Sequence, residues 1–188
     1  MAEVDFPVLV INLARRPDRM ARLQRSIPTS EFRIIRVEAV DGQDTFFASQ
    51  SKFLSRSQEA CWLSHQAAFQ IQIASELEFC LILEDDADFA ARKFRVHDLE
   101  QLCSQMKTQG IHVMQLGHLH RQYRWWSPSR LLETVKEIVA GKRTGVSLGL
   151  NRRLPIVLDS FRSGAHAYLL SFDAAKELVH LNAPPVFT

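Results

Sequence analysis

The chain lacks most of the features that announce a function at first sight. Its strongest apolar run, Val8 to Leu13, is far too short for a signal or membrane-spanning segment, and the opening Met-Ala-Glu-Val-Asp carries no basic stretch. These absences predict a soluble, cytoplasmic protein. No charge of one sign dominates: 23 basic and 21 acidic residues leave a formal +2, so there is no global basic field for nucleic acid and any anion site must be local. Only three cysteines are present, Cys61, Cys80 and Cys103, with no CxxC pair. They read as buried, reduced thiols inside apolar or helical patterns. The glycines of nucleotide-binding loops are missing too. Gly141-Lys142-Arg143-Thr144 has Arg143 where a P-loop needs Ser or Thr, and no glycine precedes it at the right spacing. After the first strand, where a dinucleotide site would place glycines, Asn12-Leu13-Ala14-Arg15-Arg16 offers guanidinium groups instead.

What is present suits one globular domain: 188 residues, 46% of them hydrophobic and 23% charged. The pattern predicts a strand at Val8 to Asn12, a helix from Pro17 to about Ser26, a strand at Arg33 to Val40 and the turn dipeptide Asp41-Gly42. A long helix follows from about Ser57 to Glu76, with Ser55 and Gln58 as a capping box and Ala60, Leu63, Ala67, Ile71 and Ala74 at three- and four-residue steps. Then come a strand at Phe79 to Leu83, a helix near Asp98 to Gln109 closed by Gly110, a strand at Ile111 to Leu116, a strand at Ala165 to Leu170 and a helix at Phe172 to Leu181. Residues 117–162 are different in character, rich in histidine and arginine around Trp125-Trp126. Alternation of strand and helix predicts an α/β fold with a mostly parallel central sheet, whose ligands sit beyond the carboxyl ends of the strands. Arg15-Arg16 and an acidic cluster both fall at such ends and can face one site.

That cluster, Leu81-Ile82-Leu83-Glu84-Asp85-Asp86-Ala87-Asp88, is the most informative stretch. In an extended chain Glu84, Asp86 and, if the extension persists, Asp88 point one way and Asp85 the other. Neighbouring carboxylates repel, and a divalent cation removes the penalty; oxygen-only ligands suit magnesium, calcium or manganese better than zinc. A solvated acidic turn is the plainer reading of the same residues. The arginines near residue 15 can bind a diphosphate or a base edge as planar donors, aided by the helix N-terminus, or can simply be solvated. Ser64-His65 is no nucleophile and base pair, since adjacent helical residues point about 100° apart. His65 at an interior helical position reads first as a packing residue.

Four blocks in order resemble glycosyltransferase family 25, the lipopolysaccharide and procollagen galactosyltransferases. They are Val10-Ile11-Asn12-Leu13-Ala14-Arg15-Arg16-Pro17-Asp18-Arg19 with Val40-Asp41-Gly42; Glu59-Ala60-Cys61-Trp62-Leu63-Ser64-His65; Leu81 to Asp86 with Met114 to Gly117; and Gly164-Ala165-His166-Ala167-Tyr168-Leu169-Leu170-Ser171. The resemblance implies a Rossmann-like nucleotide-sugar domain of GT-A type over residues 1–188, with the irregular segment at about 117–162 on the acceptor side. It implies donor contacts from Asn12, Arg15, Arg19 and Asp41, and from Ser64, His65 and Asp85, with manganese or magnesium at Glu84, Asp86 and Asp88. The implied reaction is transfer of a hexose, most often galactose, from a UDP-sugar with inversion, onto a saccharide or glycolipid such as lipopolysaccharide core, with peripheral membrane contact. Asp159 and His166 are the candidates for the base that inversion requires. Two departures stand out: Ala60 replaces a glycine frequent in the family, and the chain ends at Pro184-Pro185-Val186-Phe187-Thr188, where the family usually continues into a further segment. The C-terminus therefore reads as either short or trimmed. Rival readings are a non-catalytic sugar-nucleotide-binding module and a metal-dependent phosphoesterase, the latter without a convincing second ligand cluster.

Overall fold

A computed structural model describes residues 5–50, 54–87, 95–117 and 167–180. Among these, strands β1 (Phe6–Asn12), β2 (Phe32–Glu38), β3 (Phe79–Glu84), β4 (Val113–Gly117) and β5 (Ala167–Ser171) form one sheet in the order β2-β1-β3-β5-β4. β1 is parallel to β2 and to β3, whereas β5 is antiparallel to both β3 and β4. Four strands therefore share one direction, and the expected mostly parallel sheet carries one reversed strand. That reversal has a topological reason: the parallel strands follow their predecessors through helical crossovers, while β5 arrives after the long stretch 118–166.

Helices α1 (Pro17–Ser26), α2 (Arg56–Ala74), α3 (Val96–Gln109) and α4 (Phe172–Leu178) cover the two faces. Alternation along the strands sorts the core. Val8, Val10, Leu81 and Leu83 pack with Met20 and Leu23 of α1 and with Leu99, Leu102 and Met106 of α3. Leu9, Ile11, Cys80, Ile82, Tyr168 and Leu170 pack with Ala68 and Phe69 of α2 and with Ala174 and Ala175 of α4. Each strand is thus apolar on both faces, as a covered parallel sheet requires.

The helix ends follow their chemistry. Pro17 opens α1, and Ser55 caps α2 reciprocally with Gln58, the Ser55 hydroxyl accepting from the Gln58 N–H and the Gln58 side chain accepting from the Ser55 N–H. Gly110 closes α3 at φ 65°. α2 stops at Ala74, two residues before the predicted end, because Glu76 adopts a left-handed φ of 51° and turns the chain directly into β3.

The crossover β1-α1-β2 lies on one face of the sheet and β2-α2-β3 returns on the other. Chain connections therefore diverge between β1 and β3, the switch point at which sheets of this kind form their crevice, beyond the carboxyl ends of the two strands. Asn12 ends β1 and Glu84 ends β3, so the crevice is bordered by the Asn12-to-Arg19 stretch and the acidic cluster.

Candidate functional site

Asn12 and Asp85 form the floor of the crevice on the α1 side. Both are buried, at 1% and 6% exposure, and every polar atom of the Asn12 side chain has a partner. Its Nδ2 donates to Asp85 Oδ2 at 2.8 Å and to the Arg16 carbonyl at 2.9 Å, while Oδ1 accepts from Arg36 Nε at 3.0 Å. Asp85 Oδ1 accepts from Arg19 Nη1 at 3.1 Å. The end of β1, the start of α1, β2 and the turn after β3 are thereby clasped around one carboxylate. This is how a buried charge is tolerated: it is paired, and both of its oxygens are engaged.

Nearer solvent, Arg15 donates to Asp41 and joins the β1-α1 loop to the β2-α2 loop. The guanidinium holds the Asp41 carboxyl below its usual range, helped by the Gln43 N–H. Asp41 in turn precedes Gly42, where an added Cβ would lie 3.0 Å from the Arg56 carbonyl and from Ser57 Cα, and 3.2 Å from Ala60 Cβ. The loop rests directly on the first turns of α2, and only glycine leaves room for Ala60 beneath it. Ser64 is buried and fixes the same loop, accepting from the Val40 N–H at 2.9 Å and donating to the Ala60 carbonyl at 2.7 Å.

The acidic cluster departs from the expected alternation. Glu84 and Asp85 do face opposite sides of the sheet, Glu84 toward α2 and Asp85 toward α1. The strand then ends: the Ala87 N–H donates to the Glu84 carbonyl at 3.0 Å and closes a turn. Period two stops with it, and Asp86 comes round to the Asp85 side, its carboxylate 3.8 Å from Arg19 Nη1. Glu84 and Asp86 are therefore not companions on one face. Asp88, Asp159 and His166 lie outside the described residues, as does all but the first residue of the segment at 117–162.

On the α2 side, Glu84 meets a different set. His65 is 8% exposed; its Nε2 lies 3.5 Å from Glu84 Oε1, and its Nδ1 shares a 2.8 Å hydrogen bond with the Tyr168 hydroxyl. Burial raises the Tyr168 pKa well above its ordinary value and keeps the phenol neutral. Cys61, one helical turn before His65, completes the group, with donor atoms of Cys61, His65 and Glu84 all within 4.8 Å of one another. Cys61 is exposed, which corrects the expectation of three buried cysteines; Cys80 and Cys103 are buried. Although the residue is exposed, partial desolvation of its thiol and the nearby Glu84 carboxylate push the Cys61 pKa up to about 11. Cys61, Tyr168 and Arg36 were not singled out as site residues from sequence. The i, i+4 spacing of Cys61 and His65 was a readable signal; the Tyr168 contact spans 103 residues and was not.

The order of these blocks along the chain has a counterpart among known proteins. A family model described as "Glycosyltransferase family 25 (LPS biosynthesis protein)" matches residues 6–186. The chain belongs to glycosyltransferase family 25. Its α/β sheet with helices on both faces is that of a Rossmann-like glycosyltransferase domain. Among curated proteins, it is similar to human procollagen galactosyltransferase 2, with 34% identity over 99 residues, covering 44% of this chain and 16% of the relative. It is also similar to a rat protein named probable inactive glycosyltransferase 25 family member 3, with 32% identity over 120 residues, covering 55% of this chain and 21% of that one. The matched stretch thus spans about a sixth to a fifth of the length of these relatives.

A hard divalent cation, as this family's resemblance implies, asks for several converging oxygens. Glu84, Asp85 and Asp86 do not converge in that way: Glu84 faces α2, both Asp85 oxygens are engaged, and the Asp86 side chain, 39% exposed and 3.8 Å from Arg19, contributes one carboxylate. Oxygens of a bound diphosphate would have to complete such a shell. No helix among the described residues is long and apolar enough to cross a membrane.

Proposed function

We propose that the chain is a UDP-sugar-dependent hexosyltransferase, moving galactose with inversion from UDP-galactose to a saccharide acceptor such as a lipopolysaccharide core sugar. The observation that carries this reading is the crevice between β1 and β3, where Asn12, Arg15, Arg19 and the acidic turn converge in a glycosyltransferase family 25 chain. In it, Arg15 and Arg19 serve as planar donors to the donor diphosphate, and the Asn12–Asp85 clasp holds Arg19 and the start of α1 in position. Asp86, with Asp88 as the further candidate, would hold manganese or magnesium, which would supply charge neutralisation on the departing UDP; Glu84, expected beside them, faces His65 instead. An acceptor hydroxyl attacks the anomeric carbon from the face opposite UDP, and a carboxylate or histidine takes its proton; Asp159 and His166 are the proposed bases. Acceptor contacts are proposed for residues 117–162, and the enzyme's working place for the cytoplasmic face of a membrane. The galactosyl donor is supported by the names of the human and mouse relatives.

A second reading is a non-catalytic sugar-nucleotide-binding module. The rat relative named probable inactive favours it, as does the engagement of Glu84 and Asp85 with protein partners. UDP release from UDP-galactose in the presence of manganese, measured on the full chain with a lipopolysaccharide-core acceptor, separates the two. Turnover that chelation abolishes is the expected result. UDP binding without sugar release would favour the module, and hydrolysis of a generic phosphodiester would contradict both.

A further inference from the structure

We propose that Cys61, His65 and Glu84 form a binding site for a borderline-soft divalent metal ion of the zinc class, separate from any hard-cation site on the acidic turn. Three features of the geometry carry the assignment. The donor atoms come from two rigid elements, Cys61 and His65 from one face of α2 and Glu84 from the end of β3, and they already lie within 4.8 Å of one another. The spacing suits a tetrahedral ion. With metal–nitrogen and metal–oxygen bonds of about 2.0–2.2 Å, the nitrogen–oxygen edge of a tetrahedron is about 3.4 Å, and His65 Nε2 stands 3.5 Å from Glu84 Oε1. The same separation is long for a hydrogen bond.

The third feature is the support behind the histidine. Tyr168, fully packed in β5, holds His65 Nδ1 at 2.8 Å. In the tautomer that carries its proton on Nδ1, His65 donates to the Tyr168 hydroxyl and keeps the Nε2 lone pair, on the Glu84 side, for a metal. Metal-binding histidines are oriented in this way, by a hydrogen-bond acceptor on the second ring nitrogen. The mixed sulfur, nitrogen and oxygen set selects zinc, cobalt or a similar ion over magnesium or calcium. Three protein donors leave a fourth position for water or for a ligand entering the crevice. The site is independent of the UDP reading, because neither Asp86 nor any arginine takes part in it.

Cobalt(II) titration of the full chain tests it, since thiolate-to-cobalt charge transfer reports a bound sulfur directly. The expected result is a near-ultraviolet charge-transfer band that saturates at equimolar metal, is displaced by zinc, disappears in Cys61→Ser and persists in Asp86→Ala. Cys61 is exposed, so Cys61→Ser is expected to fold. Tyr168→Phe, which keeps the ring and removes only the hydroxyl, should weaken cobalt binding about tenfold or more. Absence of the band, or its survival in Cys61→Ser, would overturn the proposal. Either result leaves UDP binding to be judged by its own measurement.

Discussion

At the scale of single residues, adjacent carboxylates are given different work by the point at which a strand ends. Asp85 is buried and engaged at both oxygens, whereas Asp86, its neighbour, is at the surface. Asp85→Ala should lower unfolding free energy by about 2–3 kcal/mol, since it leaves Asn12 and Arg19 without their shared acceptor. Asp86→Ala should change it by less than about 0.5 kcal/mol; urea denaturation of the two variants makes the comparison. Asp41 provides a pH test. Its folded carboxyl lies below the ordinary value of 3.8 because Arg15 donates to it. The stabilisation is therefore complete above the unfolded pKa and disappears as pH falls through the folded one. Asp41→Asn should be less stable than the wild type at pH 6, by thermal denaturation, and the two should converge as the pH is taken well below 3.8. A gap that persists there would mean that the ion pair is not what Asp41 contributes.

At the scale of elements, most of the secondary structure was legible, and the reasons are local. Pro17, the Ser55–Gln58 pair and Gly110 each fix a helix end through their own backbone or side-chain chemistry, and each sits where the sequence suggested. The misjudged positions are those where a neighbour in space decides. Glu76 takes a left-handed conformation that no propensity would assign to glutamate, and Asp86 leaves the strand's alternation because the turn closes at Ala87. Gly42 is a further case: its Asp-Gly pair was readable as a turn, but the reason for the glycine is the close approach of α2. Gly42→Ala should destabilise the chain by about 1–3 kcal/mol, since backbone atoms of Arg56 and Ser57 cannot step aside as a flexible side chain would. Urea denaturation measures this. A neutral Gly42→Ala would contradict the packing of this loop on α2, and with it the placement of Asp41 beside Arg15.

At the scale of the whole molecule, the sheet order creates the site. Reversal of the chain's course between β1 and β3 opens a crevice, and the two strands that border it end in the Asn12-to-Arg19 stretch and the acidic turn. The α/β class and the family were readable from the order of four motif blocks, because each block marks the end of a strand or the face of a helix. The opposition of Glu84 and Asp85 was readable from strand alternation, but the full division of the acidic cluster was not, since Asp86 joins the Asp85 side only because the turn closes at Ala87. It leaves a hard-cation candidate at Asp86 on one face and the Cys61, His65 and Glu84 group on the other. The central claim is that the crevice receives a uridine diphosphate donor with metal at the acidic turn. Calorimetric titration of UDP into the full chain, with and without manganese, tests it most directly, comparing wild type with Asp86→Ala. The account predicts manganese-dependent binding that Asp86→Ala reduces by at least about tenfold, near 1.4 kcal/mol. A folded wild-type chain that binds no UDP with manganese present, or that binds it equally well without Asp86, would contradict it.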